Sequence, residues 1–101
     1  MQTTVSKDGA KCVVKLVGRF DFNTHREFRG AYEPLLADPA VRAVIVDFSG
    51  VDYLDSSALG MLLMLRDKLG GLNKEVALVG VSGNVKQVLD IANFGKLFQI
   101  S

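Results

Sequence analysis

Asp55, Ser56 and Ser57 stand together in "YLDSSALGMLL" (53–63), a carboxylate and two hydroxyls just ahead of an apolar run. Asp and Ser at such a place are helix N-caps, because their oxygens accept from backbone amides that have no partner inside the helix. The same unpaired amides, with the helix dipole, favour negative charge. A phosphate on either serine would be tolerated there, and it would place a charge of about −1.5 to −2 beside Asp55. Capping and phosphate acceptance are thus the two chemistries open to this cluster. Residue type alone leaves Ser56 and Ser57 equivalent.

Other chemistries find less support. A serine hydrolase needs small residues two positions either side of its nucleophile. Leu54 and Ala58 flank Ser56, and Asp55 and Leu59 flank Ser57. The single histidine, His25, falls in the first turn of a predicted helix, where it reads as a solvated surface residue. No Cys/His cluster has metal-ligand spacing, and Cys12 in an apolar strand reads as a small core residue. Asp21, Asp47, Asp52 and Asp55 are the one set whose convergence would attract a hard cation, although aspartates in loops ordinarily serve as turns and caps. No phosphate-binding glycine loop is present; "GVSG" (80–83) reads as a plain strand-to-helix turn. Met61 and Met64 could form an exposed apolar patch or fill core; at helical spacing they read as core.

The elements that must position the cluster follow from periodicity. Residues 2–6 and 11–18 read as strands joined at "KDGAK", where Asp8-Gly9 is a favoured hairpin pair. Thr24 and Glu27 have capping-box spacing, and Phe28, Ala31, Tyr32, Leu35 and Leu36 make one helical face, with Pro34 inside it and Pro39 beyond its end. "VRAVIVDF" (41–48) and "EVALVGV" (75–81) are β-branched runs of the kind found in strands covered on both faces. Ala58, Leu62, Leu65 and Leu69 mark a second helix that Gly70-Gly71 should stop, and Val85, Val88, Leu89 and Ala92 mark a third. "LFQI" (97–100) is a candidate last strand. The expected fold is α/β: a mixed, mostly parallel sheet of four or five strands with an N-terminal antiparallel hairpin and about three helices. In such a sheet the loops "FDFNT" (20–24), "GVDYLDSS" (50–57) and "GVSGN" (80–84) should converge beyond the strands' carboxyl ends, where open α/β sheets bind.

Bulk properties set the context. At 101 residues the chain is expected to form one domain, 1–101. Its 12 basic and 11 acidic residues leave a formal charge of +1, which gives no footprint for nucleic acid or an anionic membrane. One cysteine forms no internal disulfide, the N-terminus lacks a signal-peptide pattern, and no apolar run is long enough to span a bilayer. A cytoplasmic setting is expected.

"VDFSGVDYLDSSALGMLL" resembles the central motif of the STAS domain, specifically that of the anti-sigma factor antagonists of bacterial partner switching. "LVGRFDFNT" looks like that family's second strand and Gly-x-Leu-Asp-x-x-Thr turn, and "ALVGVSGNVKQVLDIANFGKLFQI" resembles its closing segment. Phe20 and Ala58 are mild departures from the family pattern. The resemblance implies a binding module without catalysis or cofactor of its own. A serine/threonine kinase that also serves as anti-sigma factor would phosphorylate Ser56, and a metal-dependent serine phosphatase would reverse this. ATP and magnesium would belong to the kinase. Asp21, Asn23, Thr24, Asp55, Ser56 and Ser57 are implied as partner contacts, and the free domain is expected to be monomeric. A competing expectation is a constitutive STAS subunit of a transporter or stress-signalling assembly.

Overall fold

The structure, a computed structural model, describes residues 1–101. Its sheet has five strands in the order β1-β2-β3-β4-β5. β1 (Gln2–Asp8) is antiparallel to β2 (Lys11–Phe20), and β2, β3 (Ala43–Leu54), β4 (Glu75–Val79) and β5 (Gln99–Ile100) are parallel. Helices α1 (His25–Ala37), α2 (Ser56–Gly71) and α3 (Gly83–Ile91) form the crossovers. This is the architecture expected from the alternation of strand and helix patterns.

The hairpin differs by one residue from the sequence reading. Asp8 pairs with Lys11, so the two-residue loop is Gly9-Ala10 rather than Asp8-Gly9. Gly9 takes φ +64° at the first central position, where a type II′ turn needs glycine.

Each parallel strand is added on the same side of the one before. Right-handed crossovers that all advance in one direction place every helix on one face. Burial alternates accordingly: Cys12, Val14, Leu16, Val44, Val46, Phe48 and Leu78 are buried under the helices. Val13, Ile45, Ala77 and Val79 on the opposite face are half-buried, and Val17 is exposed. The apolar runs did not mark strands covered on both faces. Winding direction decided this, and residue type does not report it.

The core itself follows the stripes. Ala58, Leu62, Leu65 and Leu69 of α2 are fully buried, together with Phe28, Tyr32 and Leu35 of α1 and Val85 and Leu89 of α3. Helix ends depart more. Gly70 and Gly71 remain helical; the left-handed residue is Asn73 at φ 59°. Asn73 N–H donates to the Gly70 carbonyl at 3.2 Å and Lys74 N–H to that of Leu69 at 2.9 Å, a Schellman ending. Lys74 then turns its Nζ onto the carbonyls of Leu35, Leu36 and Asp38 at 2.8, 3.0 and 2.7 Å, closing the C-terminus of α1.

β3 is also longer than expected. Residues 50–54, read as loop, continue the strand beside β2 through two register shifts, at Lys15/Val17 and Gly18/Arg19. Gly18 takes φ +107° there, and a Cβ on Gly50 would lie 3.0 Å from the Leu16 carbonyl. Glycines that look like turn signals are the allowances for a bulge. The extension carries the chain straight to Asp55.

Candidate functional site

Asp55 is the N-cap of α2, and both of its oxygens are committed. Oδ1 accepts from Ala58 N–H at 2.9 Å, and Oδ2 accepts from Phe22 N–H at 3.3 Å. The cap therefore also ties the β3–α2 junction to the β2–α1 loop. A second tie is Asp55 N–H donating to the Phe20 carbonyl at 3.3 Å.

The β2–α1 loop is set by its own capping box, one turn earlier than expected. Asp21 Oδ1 accepts from Asn23 N–H at 3.0 Å, while Thr24 Oγ1 accepts from Asp21 N–H at 3.1 Å and donates to the Asp21 carbonyl at 2.8 Å. A single 3-10 turn, Phe22–Thr24, results, and Thr24 makes no side-chain cap on α1. The spacing Thr24–Glu27 matched a box, but Asp21 competes for the same threonine and wins through a tighter turn. Thr24, expected among the partner contacts, is buried with its hydroxyl spent inside the loop.

With these loops fixed, the remaining residues sort by access. Ser56, the first residue of α2, is exposed, as is Asn23; Asp21 and Ser57 are half-buried. Ala58 N–H is taken by the Asp55 side chain and Leu59 N–H by the Asp55 carbonyl. The amides of Ser56 and Ser57 head the helix with no capping acceptor. Ser57 instead turns toward a groove of about 520 Å³ between α1 and α2, lined also by Phe22, His25, Phe28, Arg29, Tyr32, Gly60, Met61 and Met64. Met61 is core, as expected, but Met64 is 48% exposed and Phe22 72% exposed. Met64, read as core, faces outward instead because the α2 stripe turns past it, and Phe22 was not marked by sequence, since an aromatic in a loop gives no sign of facing outward.

Charge near the site is arranged in pairs. The Arg19 guanidinium lies 4.1 Å above the Tyr53 ring and 3.7 Å from Asp21. Arg29 Nε donates to Glu33 Oε1 at 2.8 Å, which holds Glu33 below the usual carboxylate range and Arg29 above its own. Burial pushes the Tyr32 phenol up.

Of the three loops expected to converge, two do. The third leaves the sheet where Gly80 packs against Asp47 and Ser49, whereas Asp55 lies beyond Leu54, seven residues further along β3. No residue of 80–84 lines the groove. Asp21, Asp47, Asp52 and Asp55 do not gather: no group of three or more His, Cys, Asp or Glu side chains is placed to hold a metal ion. No helix is long and apolar enough to cross a membrane.

The family model described as "Mlab, STAS domain" matches residues 3–99. The chain is 48% identical over 96 residues to a STAS-domain containing protein of Pseudomonas aeruginosa, spanning 95% of this chain and 93% of that one. It is 27% identical over 88 residues to the anti-sigma-B factor antagonist of Staphylococcus aureus, spanning 87% and 81%. The solved structure of a Bacillus cell fate determinant in its phosphorylated form shares the fold, with a TM-score of 0.75 at 19% identity over 99% of this chain and 91% of the other. With a match running from residue 3 to residue 99 and a near-full-length relative at 48% identity, the chain belongs to the STAS domain family, which includes the anti-sigma factor antagonists.

Proposed function

We propose that this protein is a non-catalytic binding module controlled by phosphorylation. Unmodified, it sequesters an anti-sigma factor that is also a serine/threonine kinase; phosphorylated on Ser56, it releases that partner. The observation that carries the reading is the exposure of Ser56 at the head of α2, beside a carboxylate that cannot move away. A kinase must enclose the acceptor hydroxyl, and Ser56 is open to it while Ser57 faces the groove. The phosphate would add about −1.5 to −2 charge next to Asp55. Both Asp55 oxygens are held by backbone amides, so the new charge changes the docking face without refolding it. A hundredfold loss of affinity corresponds to only about 2.7 kcal/mol.

Asp21, Asn23, Asp55, Ser56 and Ser57 form the docking face around the acceptor, and Thr24 serves it by holding the loop. A metal-dependent serine phosphatase resets the switch, and ATP with magnesium arrives on the kinase. The names of the relatives support the reading: one is an anti-sigma-B factor antagonist, and the Bacillus structure is of a phosphorylated form.

The test is incubation of the purified chain with its cognate serine kinase and ATP, followed by mass spectrometry. Phosphate is expected on Ser56 and absent from Ser56→Ala. Ser56→Ala should bind the kinase whether or not ATP is present, and Ser56→Asp should bind at least tenfold more weakly. A wild-type chain that gains no phosphate at Ser56 overturns the switch. Stable co-purification with a transport ATPase, unchanged by Ser56→Ala, would instead establish a constitutive subunit.

A further inference from the structure

The face of the sheet turned away from the helices has no cover within the chain. Strands β2 to β5 are parallel, and parallel strands are ordinarily covered on both faces. The strand register sets out what the open face displays. Lys11, Ala43 and Glu75 stand side by side across β2, β3 and β4. Val13, Ile45 and Ala77 make the next row, with Gln99 beyond them on β5, and Lys15, Asp47 and Val79 make the third. Val13, Ile45, Ala77 and Val79 are left half-buried. A hollow of about 390 Å³ lies on this face, lined by Lys11, Ile45, Glu75, Ala77 and Gln99 among others.

The charges on this face are of opposite sign on opposite sides of β3. Lys11 on β2 and Glu75 on β4 are both exposed, and neither belongs to a salt bridge of the chain. Asp47, on β3 itself, has its carboxylate turned along the strand: Oδ1 accepts from Ser49 N–H at 2.9 Å. The apolar row of Val13, Ile45 and Ala77 is thus bordered at one end by a free cation and a free anion, two strands apart. A surface of this kind is complementary to itself, because a two-fold operation exchanges its two sides.

We infer that a second copy of this chain covers the open face, the two sheets packing against each other about a two-fold axis parallel to β3. That axis lays β2 of one copy over β4 of the other. Lys11 then faces Glu75 twice across the interface, Val13 faces Ala77 twice, and Ile45 meets its own counterpart on the axis. Stacked sheets lie about 10 Å apart, a gap that a lysine and a glutamate reaching from either side close. An axis running across the strands would instead set Lys11 against Lys15, so charge selects the first packing. At ordinary strand spacing and rise the face measures about 24 Å by about 20 Å, so about 500 Å² of each copy is covered, the size of a transient complex rather than a permanent one. The helices and Ser56 stay outside the interface, and both acceptors stand at the same end of the dimer. The inference is independent of the switch, and it replaces the monomer that the family resemblance implies.

The test is sedimentation of the purified, unphosphorylated chain from micromolar to millimolar concentration. The average mass of wild type should rise from one chain toward two. Lys11→Glu and Glu75→Lys each set like charges against one another, so each should raise the dissociation constant at least tenfold. Both side chains are exposed, so thermal unfolding should show both variants folded. An equimolar mixture of the two variants restores opposite charges at both contacts and should associate as wild type does, as should the chain carrying both substitutions. A wild-type chain that stays single at millimolar concentration overturns the inference; if Glu75→Lys then also weakens binding of the serine kinase, the face belongs to that partner. A dimer that neither substitution weakens, or single variants that mixing does not restore, overturns it as well, because the contact then lies on another surface.

Discussion

Asp55 does two jobs with one carboxylate, and its substitutions separate them. Asp55→Ala removes the cap on Ala58 and the bond to Phe22, a loss of about 1–2 kcal/mol. For a chain of this size that lowers Tm by roughly 4–8 °C per kcal/mol. Asp55→Asn keeps an oxygen for Ala58 and gives up only the cross-loop bond, so its Tm should fall between the two. Ser56→Ala, at an exposed first-turn position, should stay within about 0.5 kcal/mol of wild type. Thermal unfolding of the three variants checks the order. A Ser56→Ala variant as unstable as Asp55→Ala would mean that the serine, too, is part of the scaffold.

At the scale of elements, two helices end on one short segment. Asn73 closes α2 in the left-handed conformation, and Lys74, its neighbour, closes α1 with three carbonyl contacts. An ammonium at a helix C-terminus also meets the negative end of the dipole. Lys74→Ala leaves three carbonyls short of a donor in a buried setting and should cost about 1–3 kcal/mol. The urea midpoint should drop with the m-value unchanged. Gly60→Ala should move the other way by up to about 1 kcal/mol, because its Cβ has room and the helix gains propensity. That gain would show that the fold does not require glycine at this position.

Across the whole molecule, β1 is held by pairing with β2 and by Lys7 Nζ donating to Asp38 Oδ2 at 2.8 Å. The hydrogen bond from Lys7, then that from Ala40 N–H, holds the Asp38 carboxyl below its ordinary value of 3.8. Because the folded pKa is the lower one, this contribution is complete above about pH 5 and is lost as pH falls through the folded value. Lys7 is raised above 10.5 by the same hydrogen bond, so its share is complete below that value and lost at higher pH. The pair is a surface pair, 56% and 30% exposed, so the effect is modest. Asp38→Asn should be less stable than wild type at pH 7 and should show a shallower decline between pH 5 and pH 2. Chemical denaturation across that range measures both slopes; parallel curves would remove the pair from the acid limb.

The sequence by itself determined whatever depends on residues a few positions apart. The α2 stripe of Ala58, Leu62, Leu65 and Leu69, the α1 face and the Asp55 cap are all set by i to i+4 geometry, and the hairpin and the order of elements by local turn and periodicity signals. Tertiary structure decided what depends on contacts between distant segments. One-sided coverage of the sheet follows from the direction of winding, and the extension of β3 from two register shifts against β2 beside Gly18 and Gly50. Thr24 was captured by Asp21 rather than Glu27, and Phe22 was pinned from 33 residues away by Asp55. Ser56 and Ser57 are alike in type and adjacent in sequence. A helix turns by about 100° per residue, so the cluster that reads as one cap in the sequence faces two ways in the fold: Ser56 toward solvent, Ser57 toward the groove.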